Sequence, residues 1–173
     1  MRRLCKLVPL LLLAVFSGCL PDDAGGLGFG DPVPAFTAER LGGGQKSLQD
    51  YQGKTLLVNL WATWCGPCRT ETPYLQSLFE DYQAEGLEVV GISIDEPSDR
   101  GAVSEFVREM GVSYDILLDP DRASEKVFRA RGLPNSILID AEGKVVFSWL
   151  GPVEEGDESF LEGLRGALAS AGH

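Results

Sequence analysis

Residues 61–69, WATWCGPCR, constrain this chain more than any other stretch. They join an apolar run at 55–61 to a segment with helical spacing, so Cys65 and Cys68 fall where a strand passes into a helix. Backbone N–H groups at the start of a helix stabilise negative charge. We therefore expect Cys65 to carry more thiolate at neutral pH than a free cysteine, whose pKa is about 8.5. Such a thiolate can attack a disulfide, and Cys68, one helical turn later, can displace the partner.

Two other interpretations of this cysteine pair stay open. A zinc site needs four ligands, and the remaining candidates are Cys5, Cys19 and the terminal His173. A purely structural disulfide would close a loop so short that it removes little entropy from the unfolded chain. The position at a strand–helix junction favours redox chemistry over both.

Residues 58–73, VNLWATWCGPCRTETP, resemble the active-site region of thioredoxin-fold proteins. The resemblance is strongest to the TlpA/ResA-like branch of exported thiol–disulfide oxidoreductases, and it runs over residues 31–168. It implies an α/β, thioredoxin-like fold with a mixed central sheet flanked by helices. It also implies an N-terminal hairpin extension and a central insertion of one helix and one strand, at about residues 95–121.

The hydrophobic pattern predicts a compatible order of elements. Strands are predicted at 37–41, 46–48, 55–61, 87–94, 116–118, 136–139 and 144–150. Helices are predicted after Cys65, around 103–110, at 122–130 and around 160–168. Strands that alternate with helices and end in a hairpin and a helix are typical of a mixed sheet covered on both faces.

The resemblance also implies roles for residues outside the cysteine pair. Leu133-Pro134 is expected to form a cis peptide opposite the disulfide, leaving the Leu133 backbone free to pair with an incoming peptide; an ordinary trans turn is the alternative. Glu71 is expected to exchange a proton with the buried Cys68 thiol, although an acid in a first helical turn is also simply favourable there. Asn59 stands where thioredoxin has an aspartate, which shifts the acid–base role toward Glu71.

The remaining expected contacts of the substrate surround Cys65. Gly66 and Pro67 form the same dipeptide as in thioredoxin, which is a reductant. Trp61 and Trp64 are expected to form the apolar wall of the site, and Trp64 is the one assigned to substrate binding.

The first residues have the pattern of a secretory leader. Arg2, Arg3 and Lys6 precede an apolar run at 7–16, so residues 1–18 are interpreted as a signal peptide, with an uncleaved anchor as the alternative. Residues 16–19, FSGC, resemble a bacterial lipobox, except that Phe16 stands where an aliphatic residue is preferred. The resemblance implies that Cys19 is lipid-modified, and ordinary cleavage of the leader is the alternative. Residues 19–30 are then a flexible tether, and 31–173 the folded domain.

Composition and charge narrow the possible partners. The chain of 173 residues is 44% hydrophobic, enough for the core of one domain, and we expect a monomer. Its formal net charge of −11 argues against binding to nucleic acid or to an anionic bilayer surface. Attachment to a membrane is therefore expected only through lipid.

Together these features predict an exported thiol–disulfide oxidoreductase, most simply a reductant of protein disulfides, that needs no metal or cofactor. A reductant outside the cytoplasm requires a membrane electron donor, and the resemblance suggests apocytochrome c or a metallochaperone as substrate. One alternative is a thiol peroxidase, but Ala62 and Val58 occupy positions where such sites usually have Thr and Pro. The other alternative is a non-catalytic binding module on the same fold.

Overall fold

The computed structural model describes residues 26–171 as one α/β domain. The strands are β1 (Thr37–Arg40), β2 (Gln45–Ser47), β3 (Thr55–Trp61), β4 (Leu87–Ser93), β5 (Asp115–Leu118), β6 (Asn135–Ile139) and β7 (Val145–Leu150). The helices are α1 (Gly66–Tyr82), α2 (Arg100–Glu109), α3 (Ala123–Val127) and α4 (Glu158–Ala171).

The strands form one mixed sheet in the order β2-β1-β5-β4-β3-β6-β7. The pairs β3–β4 and β4–β5 are parallel, whereas β1–β2, β1–β5, β3–β6 and β6–β7 are antiparallel. Every residue of β3 is buried, as expected for a continuous apolar run covered on both faces. The predicted fold class is confirmed, including the N-terminal hairpin β1–β2 and the inserted α2 and β5.

The core lies on both faces of the sheet because alternate residues of each strand point to opposite sides. Leu57 and Trp61 of β3 pack in one cluster with residues of α1, α2 and α4. Leu56 and Val58 belong to a second cluster, which contains Phe36 and Phe128. Helix α1 is thus fixed on one face, and its first turn stands at the end of β3.

Helix α3 is shorter than the predicted helix at 122–130. The Asp119 carboxylate accepts hydrogen bonds from the N–H groups of Ala123 (3.1 Å) and Ser124 (2.7 Å), which fixes the start of the helix. Arg122 and Arg129 have φ of 55° and 53°, so the backbone is left-handed just before and just after the helix. The predicted boundaries were wrong because these local features do not appear in the hydrophobic pattern.

Part of the predicted tether is folded onto the domain. Leu27 is buried in the core, and the Gly30 N–H donates to the Val145 carbonyl at 2.8 Å. The Val145 N–H donates in turn to the Asp31 carbonyl at 2.9 Å. The prediction of a flexible tether is therefore wrong for residues 26–30. The proposed signal peptide, Cys19 and the tether up to residue 25 lie outside the described residues.

Candidate active site

The cysteine pair lies at the start of α1. Cys65 caps the helix, which begins at Gly66, and Pro67 lies in the first turn, where its missing N–H costs no helical hydrogen bond. The two cysteines form a disulfide with their Cα atoms 5.3 Å apart. The Cys68 N–H donates to Cys65 Sγ at 3.2 Å, so a helix N-terminal donor already points at this sulfur.

The two sulfurs differ in their access to solvent. Cys65 is 6% exposed and Cys68 1%, so Cys65 is the one that a partner molecule reaches first. This order is the one that we expect for an attacking Cys65 and a resolving Cys68.

A groove of about 460 Å³ opens beside Cys65 and brings together most of the residues predicted to contact a substrate. It is lined by Trp64, Cys65, Gly66, Pro67, Arg122, Glu125, Arg131, Gly132 and Leu133. The Leu133-Pro134 peptide is cis, as predicted. Trp64 is 64% exposed at the rim, which leaves its indole free to contact another molecule.

Trp61 does not line this groove, contrary to the expectation that both tryptophans form its wall. Its ring lies in the core, 4.5 Å from the ring of Phe106. Its position in β3 explains this difference, because odd-numbered residues of the strand face the core beneath α1 and α2.

Glu71 is buried beneath the first turns of α1, one turn beyond Cys68. Its carboxylate accepts hydrogen bonds from Asn59 Nδ2 and, at 2.7 Å, from the Val153 N–H in the loop between β7 and α4. Burial raises the pKa of Glu71 from 4.5 to about 7, although these two hydrogen bonds oppose the shift. A carboxyl group with such a pKa can both accept and return a proton at neutral pH.

The structure adds residues that sequence reasoning missed. Ser136 in β6 accepts a hydrogen bond from Asn59 Nδ2 at 2.9 Å, which orients the amide toward Glu71. Asp95, just beyond β4, binds Thr63 in the segment before Cys65. An acid directly after a buried strand was a visible signal for Asp95, whereas nothing local pointed to Ser136 or to the Val153 N–H.

The part of the chain that the structure describes, residues 26–171, was also compared with the requirements of metal binding and of membrane spanning, and it meets neither. No group of three or more His, Cys, Asp and Glu side chains in this part of the chain is arranged to hold a metal ion. None of its helices combines the length and apolar character needed to cross a bilayer.

Comparison with known proteins places these features in a family. The AhpC/TSA family matches residues 29–148. The thiol-disulfide oxidoreductase ResA of Bacillus subtilis (strain 168) is 33% identical over 143 residues, which are 83% of this chain and 76% of the relative. ResA of Bacillus thuringiensis (strain Al Hakam) is 32% identical over 156 residues, covering 87% of this chain and 88% of the relative.

Solved structures agree with these relatives. A putative thiol:disulfide interchange protein DsbE from Chlorobium tepidum superposes with a TM-score of 0.76 at 29% identity, covering 82% of this chain and 99% of the other. A putative protein disulfide isomerase from Bacteroides thetaiotaomicron gives a TM-score of 0.74 at 29% identity, covering 84% and 94%. The chain therefore belongs to the AhpC/TSA family and is a thiol–disulfide oxidoreductase of the ResA/DsbE type.

Proposed function

We propose that this protein is exported and reduces disulfides in other proteins through a cycle at Cys65 and Cys68. The observation that carries the proposal is the cysteine pair at the start of α1, facing the cis Leu133-Pro134 peptide across an open groove. In the dithiol form the Cys65 thiolate attacks a substrate disulfide, and a new S–S bond joins Cys65 to the substrate. The other substrate sulfur leaves as a thiolate and takes up a proton.

Cys68 completes the exchange. Its thiol loses a proton and attacks Cys65 Sγ, which releases the second substrate sulfur and leaves the Cys65–Cys68 disulfide. Glu71 is our candidate to accept that proton, because it is buried one turn beyond Cys68 on α1 and has a pKa of about 7. Asn59 cannot accept a proton, but it donates a hydrogen bond to the Glu71 carboxylate.

The groove is our candidate for binding the substrate segment around its disulfide. The Leu133 backbone would form hydrogen bonds with an extended segment of the substrate. Pro134 has no backbone N–H that could compete for the same substrate groups. The exposed indole of Trp64 and the Gly66-Pro67 turn would contact the substrate on the side of α1.

The active-site dipeptide supports our proposal for the direction of the reaction. Gly66-Pro67 resembles the dipeptide of thioredoxin, whose potential is about −270 mV, so we propose net reduction.

Residues 1–18 would direct export, and acylation of Cys19 would attach the protein, as a monomer, to a membrane. There an electron donor would restore the dithiol. Disulfides of apocytochrome c or of a metallochaperone are the candidate substrates.

The reduction potential tests the direction. We would equilibrate the purified domain with a series of dithiothreitol ratios and trap the free thiols. A potential near about −270 mV supports a reductant, whereas a value toward about −120 mV would make the protein a donor of disulfides.

Trapping tests the roles of the two cysteines. Cys68→Ser should accumulate a mixed disulfide with substrate proteins in its cells of origin, and Cys65→Ser, as the matched control, should not. Function in cells that survives Cys65→Ser would favour a binding module, and rapid consumption of hydrogen peroxide by the dithiol form would favour a peroxidase.

A further inference from the structure

The segment that connects β3 to Cys65 lies beyond the last hydrogen-bonded residue pair of the sheet. The parallel ladder between β3 and β4 ends with the pair Trp61–Ser93, and the Ile94 N–H donates to the Trp61 carbonyl at 3.0 Å. Ala62 and Thr63 follow with no strand partner. Some other group must therefore fix the chain between the sheet and the reactive sulfur.

Asp95 supplies that group. Its carboxylate accepts the Thr63 N–H at both oxygens (3.1 and 3.0 Å) and the Thr63 hydroxyl at 2.6 Å. The Ser93 hydroxyl donates to the same carboxylate at 2.8 Å, which ties Asp95 back to the end of β4. Asp95 is only 5% exposed, so these charge-assisted bonds are largely shielded from water.

The link from Thr63 to the reactive cysteine is short. Only Trp64 separates Thr63 from Cys65, and the Cys65 N–H donates to the Ala62 carbonyl at 3.1 Å, closing a tight turn. A shift of Thr63 would therefore move Cys65 Sγ relative to the helix N-terminus and the groove. Disulfide exchange needs the attacking sulfur in line with the bond that breaks, so small displacements are costly.

We propose that Asp95 is a positioning residue for disulfide exchange, because it holds Thr63 so that Cys65 meets a disulfide lying in the groove. The proposal rests on the proposed role of Cys65 as the attacking thiolate. It assigns Asp95 no proton transfer and no contact with substrate. Its effect is the alignment of one sulfur with the edge formed by Leu133 and Pro134.

Two reactions of the reduced protein separate alignment from stability. Exchange with a cystine-bridged peptide requires the substrate to lie in the groove, whereas alkylation by iodoacetamide does not. Asp95→Asn and Thr63→Val should each slow the peptide exchange about tenfold, while the alkylation rate changes less than about twofold. Thr63→Ser keeps the hydroxyl that donates to Asp95, so this variant should exchange with the peptide at the same rate as the unmodified protein.

Gln76→Ala is the matched control. Gln76 is also buried, and it binds the N–H (2.9 Å) and hydroxyl (2.8 Å) of Ser113, away from the cysteines. It should lower the melting temperature without changing the ratio of the two rates. The proposal is overturned if folded Asp95→Asn and Thr63→Val keep the same ratio. Because the peptide exchange proceeds whatever the physiological direction, a potential that contradicts the proposed reductant leaves this test intact.

Discussion

The raised pKa of Glu71 predicts how the stability of the oxidised domain depends on pH. Between about pH 4.5 and 7 the folded state holds a proton on Glu71 that the unfolded state has lost. The contribution of Glu71 to stability therefore falls as the pH rises through this window and levels off above it. Each pKa unit corresponds to about 1.4 kcal/mol, so a rise from 4.5 to about 7 corresponds to about 3 kcal/mol.

Glu71→Gln isolates this contribution because glutamine has nearly the same shape and cannot ionise. The amide cannot accept hydrogen bonds from both Asn59 and Val153, so the variant carries a constant penalty of about 1–2 kcal/mol. That penalty cancels when the same two proteins are compared at different pH values. The stability of Glu71→Gln relative to the unmodified protein should therefore rise by about 3 kcal/mol between pH 4.5 and pH 8.

Urea unfolding of the oxidised proteins measures this difference, and the closed disulfide keeps the two thiols out of the titration. Glu85→Gln, which makes the same substitution at an exposed position after α1, is the matched control for replacing a glutamate by its amide. A flat difference for Glu71→Gln over the same range would refute the claim that burial holds a proton on this carboxyl group.

Two other predictions test packing and the groove. Gly91→Ala should lower the free energy of unfolding in urea by about 1–3 kcal/mol, because its Cβ would lie 2.8 Å from both Ile116 Cδ1 and Trp61 Nε1. Gly101→Ala in α2 should instead raise it by about 0.5–1 kcal/mol, because the new Cβ would have no atom within 4 Å apart from its chain neighbours and the backbone of its own helix. Trp64→Ala should slow peptide exchange while changing the free energy of unfolding by less than about 0.5 kcal/mol. Phe29, whose ring is 85% exposed and lies outside the groove, provides the control, since Phe29→Ala should change neither the exchange rate nor the free energy of unfolding. A destabilised Gly101→Ala, or unchanged exchange in Trp64→Ala, would contradict these expectations.

The sheet and the position of the cysteines could be predicted because local sequence determines both. A continuous apolar run specifies a strand buried on both faces, and β3 is such a strand along its whole length. The helical spacing that follows Cys65 specifies α1, so the strand–helix junction followed from neighbouring residues. The cis peptide at Leu133-Pro134 was predicted from resemblance, since the sequence around a proline does not by itself select the cis form.

The contacts that complete the site could not be predicted in this way. Thr63 and Asp95 are 32 residues apart in sequence, and Glu71 and Val153 are 82 apart. Periodicity says which face of an element is buried, but not which loop supplies a donor to a buried carboxylate. The docking of Leu27 was missed for a similar reason, because one apolar residue in a glycine-rich stretch has no period.

Two buried carboxylates, those of Asp95 and Glu71, make hydrogen bonds near the two ends of the segment that contains the cysteine pair. Asp95 binds the chain before Cys65, and Glu71, which follows Cys68, binds the Val153 N–H in the loop after β7. Asp95 accepts hydrogen bonds from three donor groups, the Thr63 N–H and the hydroxyls of Thr63 and Ser93. Glu71 accepts hydrogen bonds from two donors, and burial raises its pKa. We propose a positioning role for Asp95 and a proton-transfer role for Glu71. Positioning and proton transfer at this site can therefore be separated by mutating one acid at a time.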